Sequence, residues 1–172
     1  MHTLTVPVAE ILGVPGEYRD ITIHEPLPGV GTVLARLEDA PVHADLRAES
    51  VIEGVLVTGR VAGDASLQCA RCLAEFPAGI EVDVCELYVG PEQTVEEGED
   101  AYRVVGTEVH LEPMLRDALT LALPVRPLCR AECRGICARC GADLNSGPCA
   151  CTEDDVDPRW APLAALRDKL ES

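Results

Sequence analysis

From residue 31 to residue 89, apolar residues recur at every second position. Val33, Ala35 and Leu37 form one such series, and Val42, Ala44, Leu46 and Ala48 the next. Val55 and Val57 follow, then Ile80, Val82 and Val84. A period of two puts alternate side chains on opposite faces of an extended chain. Each run therefore predicts an antiparallel strand with one buried face. Gly54, Gly59 and Gly63 fall inside or beside these runs and predict bulges or bends that curl the sheet. Upstream, residues 4–8 and 20–23 are short extended stretches among turn signals at Gly13, Gly16 and Gly29. They read as an arm laid over a sheet edge.

Past an acidic stretch at residues 91–100, the period changes. Residues 102–105 and 108–111, joined through Gly106 and Thr107, predict a short hairpin. Pro113 then opens a segment in which Met114, Leu115, Ala118, Leu119 and Ala122 recur at helical spacing. This predicts a helix over residues 113–122, packed on the sheet and stopping before Pro124. Near the end of the chain, Trp160, Leu163, Leu166 and Leu170 share one side of a second helix that begins at Pro162. A helix of about ten residues is marginal in isolation, so its apolar side needs either the body or a partner as cover.

The expected class is α+β. A curled antiparallel sheet with one packed helix occupies residues 1–128, a cysteine-rich module residues 129–151, and an acidic linker with a short helix residues 152–172.

Composition narrows the picture. Aromatic residues make up only 3% of the chain, so the core must be built from Val, Leu, Ile and Ala. No apolar run approaches the ~18 residues that span a bilayer. The formal charge of −16 disfavours sequence-blind association with phosphate backbones and suits basic partners, ribosomal proteins among them. The opening Met1-His-Thr-Leu-Thr has neither a basic nor an apolar signal segment, so a cytoplasmic setting is expected.

In that setting closely spaced cysteines point to metal before disulfides. Eight of the nine fall into four short pairs: Cys69/Cys72, Cys129/Cys133, Cys137/Cys140 and Cys149/Cys151. One pair grips an ion from a single turn, and two pairs complete the tetrahedral S4 shell that zinc prefers. Cys137 to Cys151 makes a self-contained unit, with Gly141 where a knuckle turn needs positive φ. That leaves Cys129 and Cys133 to join Cys69 and Cys72, so that one zinc staples the body to the start of the module. A rival partition closes one site from Cys129, Cys133, Cys137 and Cys140, with Cys149 and Cys151 reaching back to Cys69 and Cys72. A single site with spare thiols is the third possibility. Cys85, left over, is expected as a small half-buried strand residue.

A closed S4 shell offers water no coordination position, so two such zincs would be structural. His2, His24, His43 and His110 are scattered, and no phosphate-binding glycine loop or nucleophile elbow occurs. No catalytic residues are expected. Over residues 126–142, Arg126, Arg130, Arg134 and Arg139 face Glu132 alone, a local formal charge of +3. They could touch RNA phosphates or, like Arg71, offset thiolate charge. Trp160 is a further candidate contact. A different class of function also fits paired thiols: a redox or zinc-responsive regulator, which would expose a low-pKa pair.

Several motifs in order carry a family resemblance. They are Cys69-Ala-Arg-Cys72-Leu73, Leu123-Pro-Val-Arg-Pro127, the C-R-G-I-C-A-R-C-G-A-D-L-N run from Cys133 to Asn145, and Asp157-Pro-Arg159 with its leucine helix. Together they resemble the YceD-type family of bacterial and plastid large-ribosomal-RNA-subunit accumulation proteins, in its cysteine-rich branch, over about residues 30–170. The resemblance implies a non-catalytic role in the synthesis, processing or stability of 23S ribosomal RNA. It also implies association with a protein of the large subunit, such as L32.

Overall fold

The structure, a computed structural model, describes residues 4–93 and 101–151. The chain divides into two compact units, Met1–Cys133 and Arg134–Ser172. No described helix is long and apolar enough to cross a membrane. The predicted C-terminal helix, Trp160 and most of the acidic stretch at residues 91–100 lie outside the described residues.

The first unit is mostly sheet. Its strands are β1 (Thr5–Pro7), β2 (Tyr18–Pro26), β3 (Ala35–Leu37), β4 (Pro41–Val51), β5 (Gly54–Gln68), β6 (Glu75–Val89), β7 (Tyr102–Arg103) and β8 (Glu108–His110), of which β2, β4, β5 and β6 are long. A six-stranded sheet runs in the order β2-β4-β5-β6-β7, with β3 pairing the far end of β5, while β1 and β8 form a separate pair. As the alternation requires, Val42, Ala44, Leu46 and Ala48 of β4 are buried, together with Val55, Val57 and Val61 of β5. Helix α1 (Leu111–Ala122) covers that face with Leu111, Met114, Leu115 and Leu119. It ends because Leu123, ahead of Pro124, is extended at ψ 133°. Tyr88 of β6, 1% exposed, donates its hydroxyl to the carbonyl of His110 at 2.9 Å and so ties the sheet to the start of the helix.

Several expectations need correcting. The sheet is not strongly curled. The β4–β5 and β5–β6 ladders run one for one without a break, so Gly54 and Gly59 are not bulges. Gly59 instead lets two main chains approach: at φ +145° a Cβ there would lie 2.2 Å from the Asp45 carbonyl oxygen. The hairpin expected at residues 102–111 is reduced to one bridge, Val105 to Glu108. Its arms pair elsewhere, β7 in parallel with β6 and β8 with β1. Residues 20–23 are not part of an overlying arm, because β2 is itself the edge strand of the large sheet. Val33 precedes β3 and is 97% exposed, and Cys85 is exposed on the outer sheet face.

Candidate metal centres

Strands β5 and β6 are joined by the turn that carries Cys69 and Cys72. Two backbone bonds shape it: Cys69 N–H donates to Ala74 O and Leu73 N–H to Cys69 O, both at 2.9 Å. The amide of Arg71 points at the Cys69 sulfur, 3.5 Å away. After α1, residues 123–128 run to this turn and are pinned there when Ala70 N–H donates to Pro127 O at 2.8 Å. Cys129 and Cys133 follow at once. Arg71 closes the arrangement by donating from Nη1 to the carbonyls of Ala131 (3.3 Å) and Cys133 (2.9 Å).

The four sulfur atoms of Cys69, Cys72, Cys129 and Cys133 consequently lie within 4.8 Å of one another. Cys69 and Cys133 are 3.8 Å apart, and Cys72 and Cys129 3.6 Å. Zinc–sulfur bonds of about 2.3 Å give a tetrahedral S4 shell an edge of about 3.8 Å, so the donor set and its spacing fit that ion. No disulfide joins any of the nine cysteines.

The second unit repeats the device. Cys137 N–H donates to Ala142 O at 2.8 Å and Gly141 N–H to Cys137 O at 2.9 Å, the same two bonds as in the first turn. The sulfurs of Cys137, Cys140, Cys149 and Cys151 also lie within 4.8 Å of one another. Asp143 and Asn145 fold the segment between these pairs. The Asp143 carboxylate accepts from Asn145 N–H (2.9 Å), Asn145 Nδ2 (2.7 Å) and Ser146 Oγ (3.1 Å), while Asn145 Oδ1 accepts from Arg134 N–H at 2.8 Å. Neither residue is marked as a ligand by its type. Only their place inside the cysteine run signals them.

Electrostatics divides each tetrad. Backbone amides of Cys129, Cys72 and Arg71 stabilise the Cys69 thiolate and hold it down at about 6, while burial and the three neighbouring sulfurs push Cys129 up to about 12. The amides of Cys140 and Arg139 hold Cys137 at about 6, and hydrogen bonding to Cys140 and Cys137 pushes Cys151 up to about 12. A divalent cation among four such sulfurs favours the thiolate at every position.

The two turns differ at one residue. Gly141 has φ +72°, and the matching position of the first turn is Leu73, the one described non-glycine residue with positive φ, at +62°. A Cβ in that region costs about 1–2 kcal/mol. With the Leu73 side chain half exposed, Leu73→Gly is expected to raise the stability of the zinc-loaded chain by about 0.5–1 kcal/mol in urea denaturation. A loss of stability would show that the leucine packs usefully.

Exposure separates the tetrads as well. Cys69 and Cys133 are buried, whereas Cys140 is exposed. Alkylation of the native zinc-loaded protein, followed by mass spectrometry, is expected to label Cys85 first, Cys140 and its partners next, and Cys69 and Cys133 last. Labelling of Cys69 as fast as Cys140 would contradict this order. Of the candidate contact residues, Arg126 and Arg130 are exposed beside the first tetrad, and Arg134 and Arg139 are exposed in the second unit.

Comparison with known proteins agrees with this description. The family described as "Large ribosomal RNA subunit accumulation protein YceD" matches residues 57–167, a span that includes both tetrads. An uncharacterized protein of Mycobacterium tuberculosis is 37% identical over 168 residues, covering 95% of this chain and 81% of the relative. The uncharacterized protein YlbN of Bacillus subtilis is 25% identical over 74% of each chain. The chloroplastic YCED homolog 1 of Arabidopsis thaliana, named as a large ribosomal RNA subunit accumulation protein, is 31% identical over 64 residues, 37% of this chain and 20% of its own. No solved structure matches. With two cysteine tetrads inside the matched span and the match covering most of the chain, the protein belongs to the YceD family.

Proposed function

We propose that this chain is a non-catalytic factor of large-subunit ribosome biogenesis that supports the synthesis, processing or stability of 23S rRNA. The family match over residues 57–167 carries the reading. The geometry supplies its physical side. Each tetrad offers four sulfurs and no oxygen or nitrogen donor, a set that suits structural zinc and leaves no position for a water nucleophile. Cys69, Cys72, Cys129 and Cys133 would hold one ion, and Cys137, Cys140, Cys149 and Cys151 the other. Bound there, zinc supplies rigidity, cross-linking segments about sixty residues apart in the first unit.

Contact falls to the surfaces that the zincs stiffen. In the first unit, Arg126 and Arg130 are exposed, as are Leu121 and Val125 of the same stretch of chain, so a basic and apolar segment reaches solvent on a chain whose charge is −16. Such a segment suits phosphate contacts beside a protein or base surface, with Arg134, Arg139 and Trp160 as further candidates. The acidic remainder suits a basic ribosomal protein, for which L32 is the specific candidate. Gradient fractionation of cell lysate tests the reading. Co-migration with precursors of the large subunit, and a fall in 23S relative to 16S rRNA when the protein is depleted, are expected. Absence from every such fraction with rRNA unchanged would refute it. Pull-down with and without ribonuclease tells an RNA contact from a protein contact.

A further inference from the structure

Strand β2 is an open edge. It pairs with β4 on one side, and no described strand meets the other. Which residues face that edge follows from the hydrogen bonding. Ser50 N–H donates to Glu17 O, so odd-numbered residues of β2 turn their backbone groups toward β4. The two-residue turn between Val51 and Gly54 agrees, since it directs odd-numbered β4 residues to β5 and even-numbered ones to β2. The amides and carbonyls of Asp20, Thr22 and His24 therefore point outward, unpaired by any described strand.

Edges of this kind invite another strand, and proteins usually blunt them with charge. Here the charges are self-complementary. Laid antiparallel against a copy of itself about a twofold axis at Thr22, β2 sets Arg19 opposite Glu25, Asp20 opposite His24 and Ile21 opposite Ile23. Each pair shares a face of the sheet. The outward-facing residues Asp20, Thr22 and His24 become the ones that exchange backbone hydrogen bonds. A shift of the axis by one residue in either direction sets Arg19 against Ile23 or Ile21 against Glu25, so charge and hydrophobicity select this register.

We infer that β2 is a self-association edge: two copies of the chain join β2 to β2 in an isologous antiparallel pair, making one continuous sheet across the twofold axis. The symmetry uses each Arg19–Glu25 pair twice, as an isologous interface must. The Asp20 carboxylate keeps its intrachain bond from Arg47 Nε at 2.8 Å, on the β4 side.

Sedimentation equilibrium of the full zinc-loaded chain over a concentration series tests this. A reversible dimer is expected. Arg19→Glu and Glu25→Arg, each singly, place like charges opposite one another twice per dimer and should weaken association about ten- to thirtyfold. Combined in one chain they restore opposite charge and should recover most of the wild-type affinity. Thr22→Pro removes an outward amide without touching the β2–β4 ladder and should leave a folded monomer. A chain that stays monomeric throughout the series, or a dimer that both single reversals leave unchanged, overturns the inference.

Discussion

Serine in place of Cys133 is expected to remove one zinc ion per chain and to destabilise the sheet-bearing unit by about 4 kcal/mol or more. The magnitude follows from linkage, since metal at about a thousandfold above its Kd adds about 4 kcal/mol to the folded state. Cys133 is 3% exposed and its sulfur lies 3.8 Å from that of Cys69. A serine hydroxyl there would be a poor zinc ligand and an unsatisfied buried polar group. The segment after α1 would keep the Ala70–Pro127 bond and the Arg71 contacts but lose the metal that holds it against the β5–β6 turn. Cys149→Ser is the matched control. It should also cost one zinc, yet shift the unfolding of the first unit by less than about 1 kcal/mol, because the ligands of the second tetrad all belong to the other unit. Metal analysis and urea denaturation read both effects. Two ions still bound in Cys133→Ser would sink the assignment of that residue as a ligand.

The second large effect needs no metal. Gly59→Ala is expected to cost about 3 kcal/mol or more, and in a marginally stable chain it should leave little folded protein. Its Cβ would lie 2.2 Å from the Asp45 oxygen and 2.8 Å from the Leu46 Cα, both main-chain atoms of the neighbouring strand. Neither can swing aside as a side chain would, so β4 and β5 must separate or Gly59 must leave φ +145°. Gly79→Ala supplies the contrast. Nothing lies within 4 Å of a Cβ at that position on the adjoining strand, and a change within about 0.5 kcal/mol is expected. If the two substitutions cost the same, the close approach of β4 to β5 is not what the glycine serves.

The exposed cysteine and the strained leucine show where reading a chain without its fold falls short. Cys85 alternates with Asp83 and Glu81, which places it on their face, but its exposure depends on whether anything covers that face. In the fold nothing described does. Leu73 holds the turn position that Gly141 holds in the second unit, and a leucine gives no hint of positive φ by its identity. The two turns share a hydrogen-bond pattern that becomes visible only when both are seen.

Short-range rules acting within a few residues were enough for the strand faces, the position of α1, its stop before Pro124 and the gathering of thiols in pairs. Alternation, helical spacing, the restriction proline places on its predecessor and the reach of one turn are all local, so they can be read along the chain. Tertiary structure decided which pairs of thiols converge, because Cys69 and Cys133 meet only after α1 has packed on β6 and returned the chain to the β5–β6 turn. It also decided that glycine serves close strand approach and not curvature, that β7 runs parallel to β6, and that β2 is left as an edge. Each depends on contacts between residues far apart in sequence. No local pattern encodes such distances; they follow from burying one shared apolar face.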